Sequence, residues 1–175
     1  AIVERTFITS MTGIILAGGE NTRIGTNKAL LKIGEKSIIE NTVSVLSPLF
    51  DSLIIVTNSP ENYEFFGIPM IPDVEPGKGP LIGIYSGLLA SQDKWNFAVG
   101  CDMPFMSREL IRYMQEKCDD SDVVVPRLDG YYESLHAFYN KSCLEFIKEQ
   151  IDQGNLRINS LFSALTLREI ARQEI

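Results

Sequence analysis

The sequence predicts an α/β protein, a three-layer α/β/α sandwich around a largely parallel, Rossmann-like sheet, because strand-like and helix-like segments alternate from one end to the other. The strand signals are short, continuously apolar runs such as GIILA, SLIIVT and WNFAVGC, each closed by Gly, Asn, Ser or Asp, as expected of strands buried on both faces. The helix signals are apolar residues at 3.6-residue spacing with recognisable caps.

Gly13–Ala17 is the first predicted strand, and a loop over Gly18–Asn27 follows it. Ser37, with Glu40 three residues on, forms a capping-box pattern ahead of Ile38, Ile39, Val43, Leu46 and Leu49 at helical spacing. Ser52–Thr57 reads as a second strand ended by Asn58, Ser59 and Pro60, and IPMIP as a short third one ending at Asp73. VEPGKGP is a loop, and Pro80 suits the first turn of a helix that aligns Leu81, Ile84, Tyr85, Leu88 and Leu89. WNFAVGC is the next strand, with Asp102 at its carboxyl end, and Ser107 caps a helix through Lys117. DVVVP is a strand, YYESLHAFY an extended or hairpin segment, and Cys143–Gln153 a helix stopped by Gly154.

A length of 175 residues suits a single domain over residues 11–175, with residues 1–10 (AIVERTFITS) an extension ahead of Met11. The net charge of −7 argues against nucleic-acid binding, which depends on clustered Lys and Arg. No run approaches the roughly 18 apolar residues of a membrane span. Cys101, Cys118 and Cys143 are odd in number and widely spaced, so neither a disulfide framework nor a zinc site is expected, and a reducing cytoplasm fits best.

In open α/β sheets ligands bind beyond the carboxyl ends of the strands. Those loops hold the glycine stretch, Asn58, Asp73 and Asp102. Gly18 and Gly19 let backbone amides approach an anion, and Arg23 and Lys28 bring two cations to the same loop. The alternative is a plain strand-to-helix turn with two solvated cations. A P-loop is excluded, since Thr26 rather than Lys follows Gly25, and the nearest approach to a dinucleotide fingerprint, GKGPLIG, carries Pro80 and comes too late. Asp102 in GCDMPF is positioned either to hold a hard divalent cation or merely to cap the turn toward Ser107.

LAGG followed by Arg23, Gly25 and Lys28 resembles the L-A-G-G-x-S-x-R-M-G-x-x-K signature of the molybdenum cofactor guanylyltransferases, with Asn21 and Ile24 in place of Ser and Met. The resemblance extends through KALL, VTN, Asp73, GPLIGI, CDMPF and ESLHAFYNKSCLEFIKEQIDQGNLRI, with Ser134 where proline is usual. It implies that Leu16, Ala17 and Gly18 border the guanine and ribose. Gly19, Arg23, Gly25 and Lys28 would hold the phosphates, Asn58, Asp73, Gly79 and Gly83 would lie against the nucleotide, and Asp102 would bind Mg²⁺. The implied reaction moves GMP from GTP to the terminal phosphate of molybdopterin, with Arg23, Lys28 and Asp102 as the catalytic groups. Transient contact with molybdoenzymes or cofactor-synthesis proteins would follow. Gly18, where relatives using CTP carry alanine, favours GTP. His136 is expected to pack rather than act as a base. The family's closing strand and N-x-N-T-P-E-like turn have no counterpart in TLREIARQEI, so a missing C-terminal segment or an altered acceptor side is expected. The alternatives are a related transferase using CTP or another phosphorylated acceptor, and a non-catalytic nucleotide-binding module.

Overall fold

The computed structural model describes residues 10–18, 30, 32–34, 36–101, 103 and 106–175. The extension expected at residues 1–10 therefore lies outside the described residues except for Ser10.

Chain order is β1 (Met11–Leu16), β2 (Lys32–Ile33), β3 (Lys36–Ser37), α1 (Ile38–Leu46), β4 (Ser52–Val56), β5 (Met70–Ile71), α2 (Pro80–Ala90) and β6 (Trp95–Gly100). Then follow α3 (Arg108–Glu116), β7 (Val123–Leu128), β8 (Tyr131–Tyr132), β9 (His136–Asn140), α4 (Cys143–Asp152), α5 (Ile158–Phe162) and β10 (Leu167–Ala171). The main sheet runs β10-β7-β9-β6-β1-β4-β5, with β8 added on β7. Neighbours are parallel except at β9, which runs against both β6 and β7, and at β8.

Period-two alternation splits the core into two layers. Ile14, Leu16, Ile54, Val56 and Ala98 face α2, α4 and α5, which contribute Leu81, Ile84, Leu88, Ile147 and Phe162. Ile15, Ile55, Phe97, Val99 and Phe138 face the other way, under Ile39 and Leu46 of α1 and Ile111 and Met114 of α3. Three layers result, as the apolar runs predict.

The caps behave as local chemistry requires. Ser37 Oγ accepts the amide of Glu40 at 3.2 Å, and Ser107 Oγ accepts that of Leu110 at 3.2 Å, each satisfying a donor that a helix start leaves without a partner. Gly154, at φ +75°, ends α4 in the left-handed region.

Two expectations need correction, at Leu89 and in the closing segment. Leu89 is 50% exposed, because it stands one residue, and so about 100° of helical rotation, beyond the sheet-facing Leu88. The segment at 131–139 is extended or hairpin-forming as expected, in two strands separated by a turn, with β8 closing a hairpin on β7 and β9 inserted deep in the sheet. The closing segment does contain a strand: β10 pairs in parallel with β7 from Leu167↔Val123 to Ala171↔Arg127. Only Ile170 in it is fully buried, with charged Arg168 and Glu169 directly before it, a pattern that reads polar because β10 is an edge strand.

Candidate active site

β1 leads outward to β4 and β5, and the chain then returns past β1 to β6, so the direction of strand addition reverses between β1 and β6. That reversal opens the crevice where ligands of such sheets bind. The strand ends there are tied together: Ala17 N donates to Val56 O (2.9 Å), Thr57 N to Ile71 O (2.8 Å) and Cys101 N to Leu16 O (3.1 Å). Leu16, Ala17 and Gly18 therefore stand at the middle of the carboxyl edge, Asn58 and Asp73 on one side, and Cys101 and Met103 on the other.

Asn58 and Asp73, fifteen residues apart, form a two-point contact. Asn58 Nδ2 donates to Asp73 Oδ2 at 3.2 Å, and Asp73 N donates to Asn58 Oδ1 at 3.1 Å. Partial burial raises the proton affinity of the Asp73 carboxyl, against the lowering effect of the Asn58 hydrogen bond. The same carboxylate fills the space beside two glycines. A Cβ on Gly18 would stand 3.1 Å from Asp73 Oδ2, and one on Gly83 would stand 3.5 Å from Asp73 Oδ1 and 3.1 Å from Leu16 Cδ2. The loop behind Asp73 is held by Ser86, whose Oγ accepts the amide of Val74 at 3.0 Å.

Gly79 enters α2 at φ +93°, a conformation that a side chain would strain, and Pro80 occupies the first helical position. The α2 amino end lies on the same edge without a side-chain cap. Next to it is an open pocket of about 540 Å³ lined by Pro80, Leu156, Arg157, Ile158, Asn159 and Ser160. Arg157 and Asn159 reach this edge because β9 runs antiparallel to β6, so that α4 starts at the opposite edge and ends here. Neither residue was assigned a role by sequence reasoning. The available signal was a polar NLRIN stretch directly after a glycine helix stop.

The structure thus brings Leu16, Ala17, Gly18, Asn58, Asp73, Gly79 and Gly83 to one edge. Gly19, Arg23, Gly25, Lys28 and Asp102 lie outside the described residues. Among the described residues no group of three His, Cys, Asp or Glu side chains could hold a metal.

His136 packs edge-on to Phe97, with ring centroids 5.0 Å apart, and burial lowers its proton affinity, so it is a neutral packing residue. Burial pushes the Cys143 thiol up to about 12 and raises that of Cys118, which removes both as nucleophiles at neutral pH. Among the described residues no helix is long and apolar enough to cross a membrane.

Comparison with known proteins adds to this geometry. The profile of the MobA-like NTP transferase domain matches residues 13–169. The chain is 36% identical over 172 residues to a probable molybdenum cofactor guanylyltransferase of Peptoclostridium acidaminophilum, covering 93% of this chain and 77% of that protein. It is 34% identical over 164 residues to a protein of the same description from Pelotomaculum thermopropionicum, covering 94% and 80%. Among solved structures, a putative protein of Aquifex aeolicus superposes with a TM-score of 0.80 at 29% identity, covering 91% of this chain and 85% of that one. The molybdopterin-guanine dinucleotide biosynthesis protein A of Archaeoglobus fulgidus superposes at 0.79 with 24% identity, covering 94% and 85%, and supports the fold.

Proposed function

The chain belongs to the family of MobA-like NTP transferases, and from that premise we propose that it transfers GMP from GTP to the terminal phosphate of molybdopterin, forming the guanine dinucleotide cofactor. The observation that carries this reading is the meeting of Gly18, Gly83 and the Asn58–Asp73 pair on the carboxyl edge beside the switch point, where ligands of open α/β sheets bind. Close relatives described as molybdenum cofactor guanylyltransferases supply the identity of nucleotide and acceptor.

In the reaction an oxygen of the acceptor phosphate attacks the α-phosphorus of GTP. The new P–O bond forms as the bond to the β-phosphate oxygen breaks, and pyrophosphate leaves with that electron pair. Such a displacement needs alignment and charge neutralisation rather than a protein nucleophile. Gly18 and Gly83 leave room for the Asp73 carboxylate at this edge, while Arg23 and Lys28 neutralise and orient the triphosphate. Arg157, in the pocket at the start of α2, offers a cation to the acceptor's phosphate.

A magnesium ion suits a strand-end aspartate such as Asp102, because Mg²⁺ typically takes one or two carboxylates and completes its shell with substrate phosphates and water. Asp102 would hold it, following β6 on the strand end whose Cys101 amide is bonded to Leu16 O at 3.1 Å. When bound, the ion neutralises charge developing on the transferring phosphate. The reaction belongs to the cytoplasm, with hand-over of the product through transient contact with molybdoenzymes or cofactor-synthesis proteins.

Calorimetric titration tests the nucleotide assignment. GTP binds in preference to CTP and ATP, and Lys28→Ala weakens GTP binding by about 1.5–3 kcal/mol through loss of one charge-assisted contact. An unchanged GTP dissociation constant in that variant contradicts the phosphate cradle.

A further inference from the structure

We infer that Glu169 and Tyr132 are positioning residues for the acceptor: Glu169 fixes the Tyr132 ring, the ring braces α5, and α5 aims Arg157 into the pocket beside α2. The inference rests on the acceptor reading above, in which Arg157 meets the acceptor's phosphate, and extends it to residues outside the pocket.

The helix α5 cannot hold its own place. It has five residues, too few for a helix to be stable alone, and Arg157 at its start makes no side-chain cap. Its direction is therefore set from outside. At the first end, Gln150 Nε2 of α4 donates to Arg157 O at 2.7 Å, and Arg157 N donates to Asn155 Oδ1 at 3.1 Å. At the other end Phe162, 3% exposed, lies edge-on to Tyr132 with ring centroids 5.1 Å apart. The Arg157 backbone is thus tethered, while the tilt of the helix, and with it the direction in which the Arg157 side chain leaves, depends on the Phe162 end. Ile158, Asn159 and Ser160, which line the same pocket, turn with it.

Tyr132 is in turn fixed by polar contacts. It belongs to β8, a two-residue strand with little backbone hold of its own. Its hydroxyl donates to Glu169 Oε1 of β10 at 2.5 Å, a charge-assisted bond. That bond also pushes the phenol up, so it remains a donor through neutral pH. Arg127, the register partner of Tyr132 in the hairpin, lies with Cζ 5.1 Å from the ring centroid and Nη1 3.4 Å from the same Glu169 oxygen. The Arg127–Glu169 pair is half-exposed and contributes little by itself, which leaves the hydroxyl bond as the contact that orients the ring.

Stability alone does not require this chemistry. Phenylalanine at position 132 would keep the edge-on contact with Phe162, and an apolar residue at position 169 would suit a strand. Hydroxyl and carboxylate add direction, because a hydrogen bond constrains angle as well as distance.

The placement suits the role. Both β6 and β7 run antiparallel to β9, so the end of β7 and the β8 hairpin stand on the carboxyl edge where β6 ends. Three residues after Tyr132, Leu135 O accepts the amide of Gly100, the last residue of β6, at 3.2 Å. The brace therefore belongs to the same edge as the pocket it supports.

The test measures pyrophosphate release with molybdopterin varied at saturating GTP and Mg²⁺, and GTP dissociation constants by calorimetry; circular dichroism verifies the fold of each variant. Tyr132→Phe and Glu169→Ala each raise the acceptor KM about three- to tenfold, the loss of one hydrogen bond, while kcat and the GTP dissociation constant stay within about twofold of wild type. Glu169→Gln, whose amide oxygen still accepts the hydroxyl, keeps most of the wild-type KM. Tyr132→Phe combined with Glu169→Ala raises KM no further than either alone, because the two residues share one contact. In an Arg157→Ala background, which itself raises the acceptor KM, Tyr132→Phe has no further effect. A merely structural residue would raise KM by the same factor in that background, and this result overturns the inference. Wild-type KM in both Tyr132→Phe and Glu169→Ala, or in Arg157→Ala, overturns it as well while the proposed reaction stands. If the folded wild type releases no pyrophosphate, the proposed function fails and carries this inference with it.

Discussion

At Gly18 the absent side chain matters more than any neighbouring one, because the space it would need is taken by Asp73 Oδ2, which lies 3.1 Å from where a Cβ would stand. Gly18→Ala shifts that carboxylate by a few tenths of an ångström against the Asn58 clamp, since the aspartate side chain yields more easily than the strand. The expected outcome is a GTP dissociation constant about tenfold higher with the melting temperature within a few degrees of wild type, measured by calorimetry and thermal denaturation. The sequence made Gly18, Asn58 and Asp73 individually visible, as unusual residues at strand ends. Their contact was not visible, because a pairing across fifteen residues depends on the register of β4 against β5 (Ile55↔Met70, Val56↔Ile71). Arg157 escaped notice for a related reason: nothing in its local stretch says that α4 ends on the carboxyl edge.

Between elements, α2 approaches the sheet through Gly87, where a Cβ would lie 2.6 Å from Ile14 Cγ2 and 2.8 Å from its Cδ1 in the first strand. Gly87→Ala forces a fully buried β-branched residue to move, a cost of about 1–3 kcal/mol that the better helix propensity of alanine, about 1 kcal/mol, offsets only in part. A melting temperature lowered by a few degrees in differential scanning calorimetry is the expected result. Beyond β10, the turn at Arg172–Glu174 is held by Glu174, which accepts bonds from Arg168 (2.8 Å), Tyr113 (2.7 Å) and the Ala171 amide (2.8 Å). The Arg168 guanidinium, then the Ala171 amide and Tyr113, hold the Glu174 carboxyl at about 2 instead of its ordinary 4.5. A depressed carboxylate stabilises the fold above its unfolded value, so this contribution is complete above pH 4.5 and is lost as the pH falls toward 2. Acid unfolding followed by near-ultraviolet circular dichroism should be steeper in wild type than in Glu174→Gln, which lacks the titrating group. Caps such as Ser37 and Ser107 were readable because they act over three residues. The edge strand β10 was not, because its partner lies some forty residues earlier.

For the whole molecule, alternating strands and helices sufficed to predict three layers, since each continuous apolar strand must be covered on both faces. Strand order was beyond sequence patterning: β9 enters antiparallel between β6 and β7, and only that insertion carries the end of α4 and the Arg157 pocket to the nucleotide edge. The resulting arrangement has the Asn58–Asp73 pair on one side of the switch point, the end of β6 on the other, and the Arg157 pocket near the start of α2. Under the proposed function, that arrangement sets two phosphates in line. The most direct measurement is pyrophosphate release from GTP with Mg²⁺ and molybdopterin, using wild type and Asp102→Ala side by side. The account predicts release that requires all three components in the wild type, and its loss in a normally folded Asp102→Ala. Absence of release from the folded wild-type chain, or undiminished release from Asp102→Ala, would contradict it.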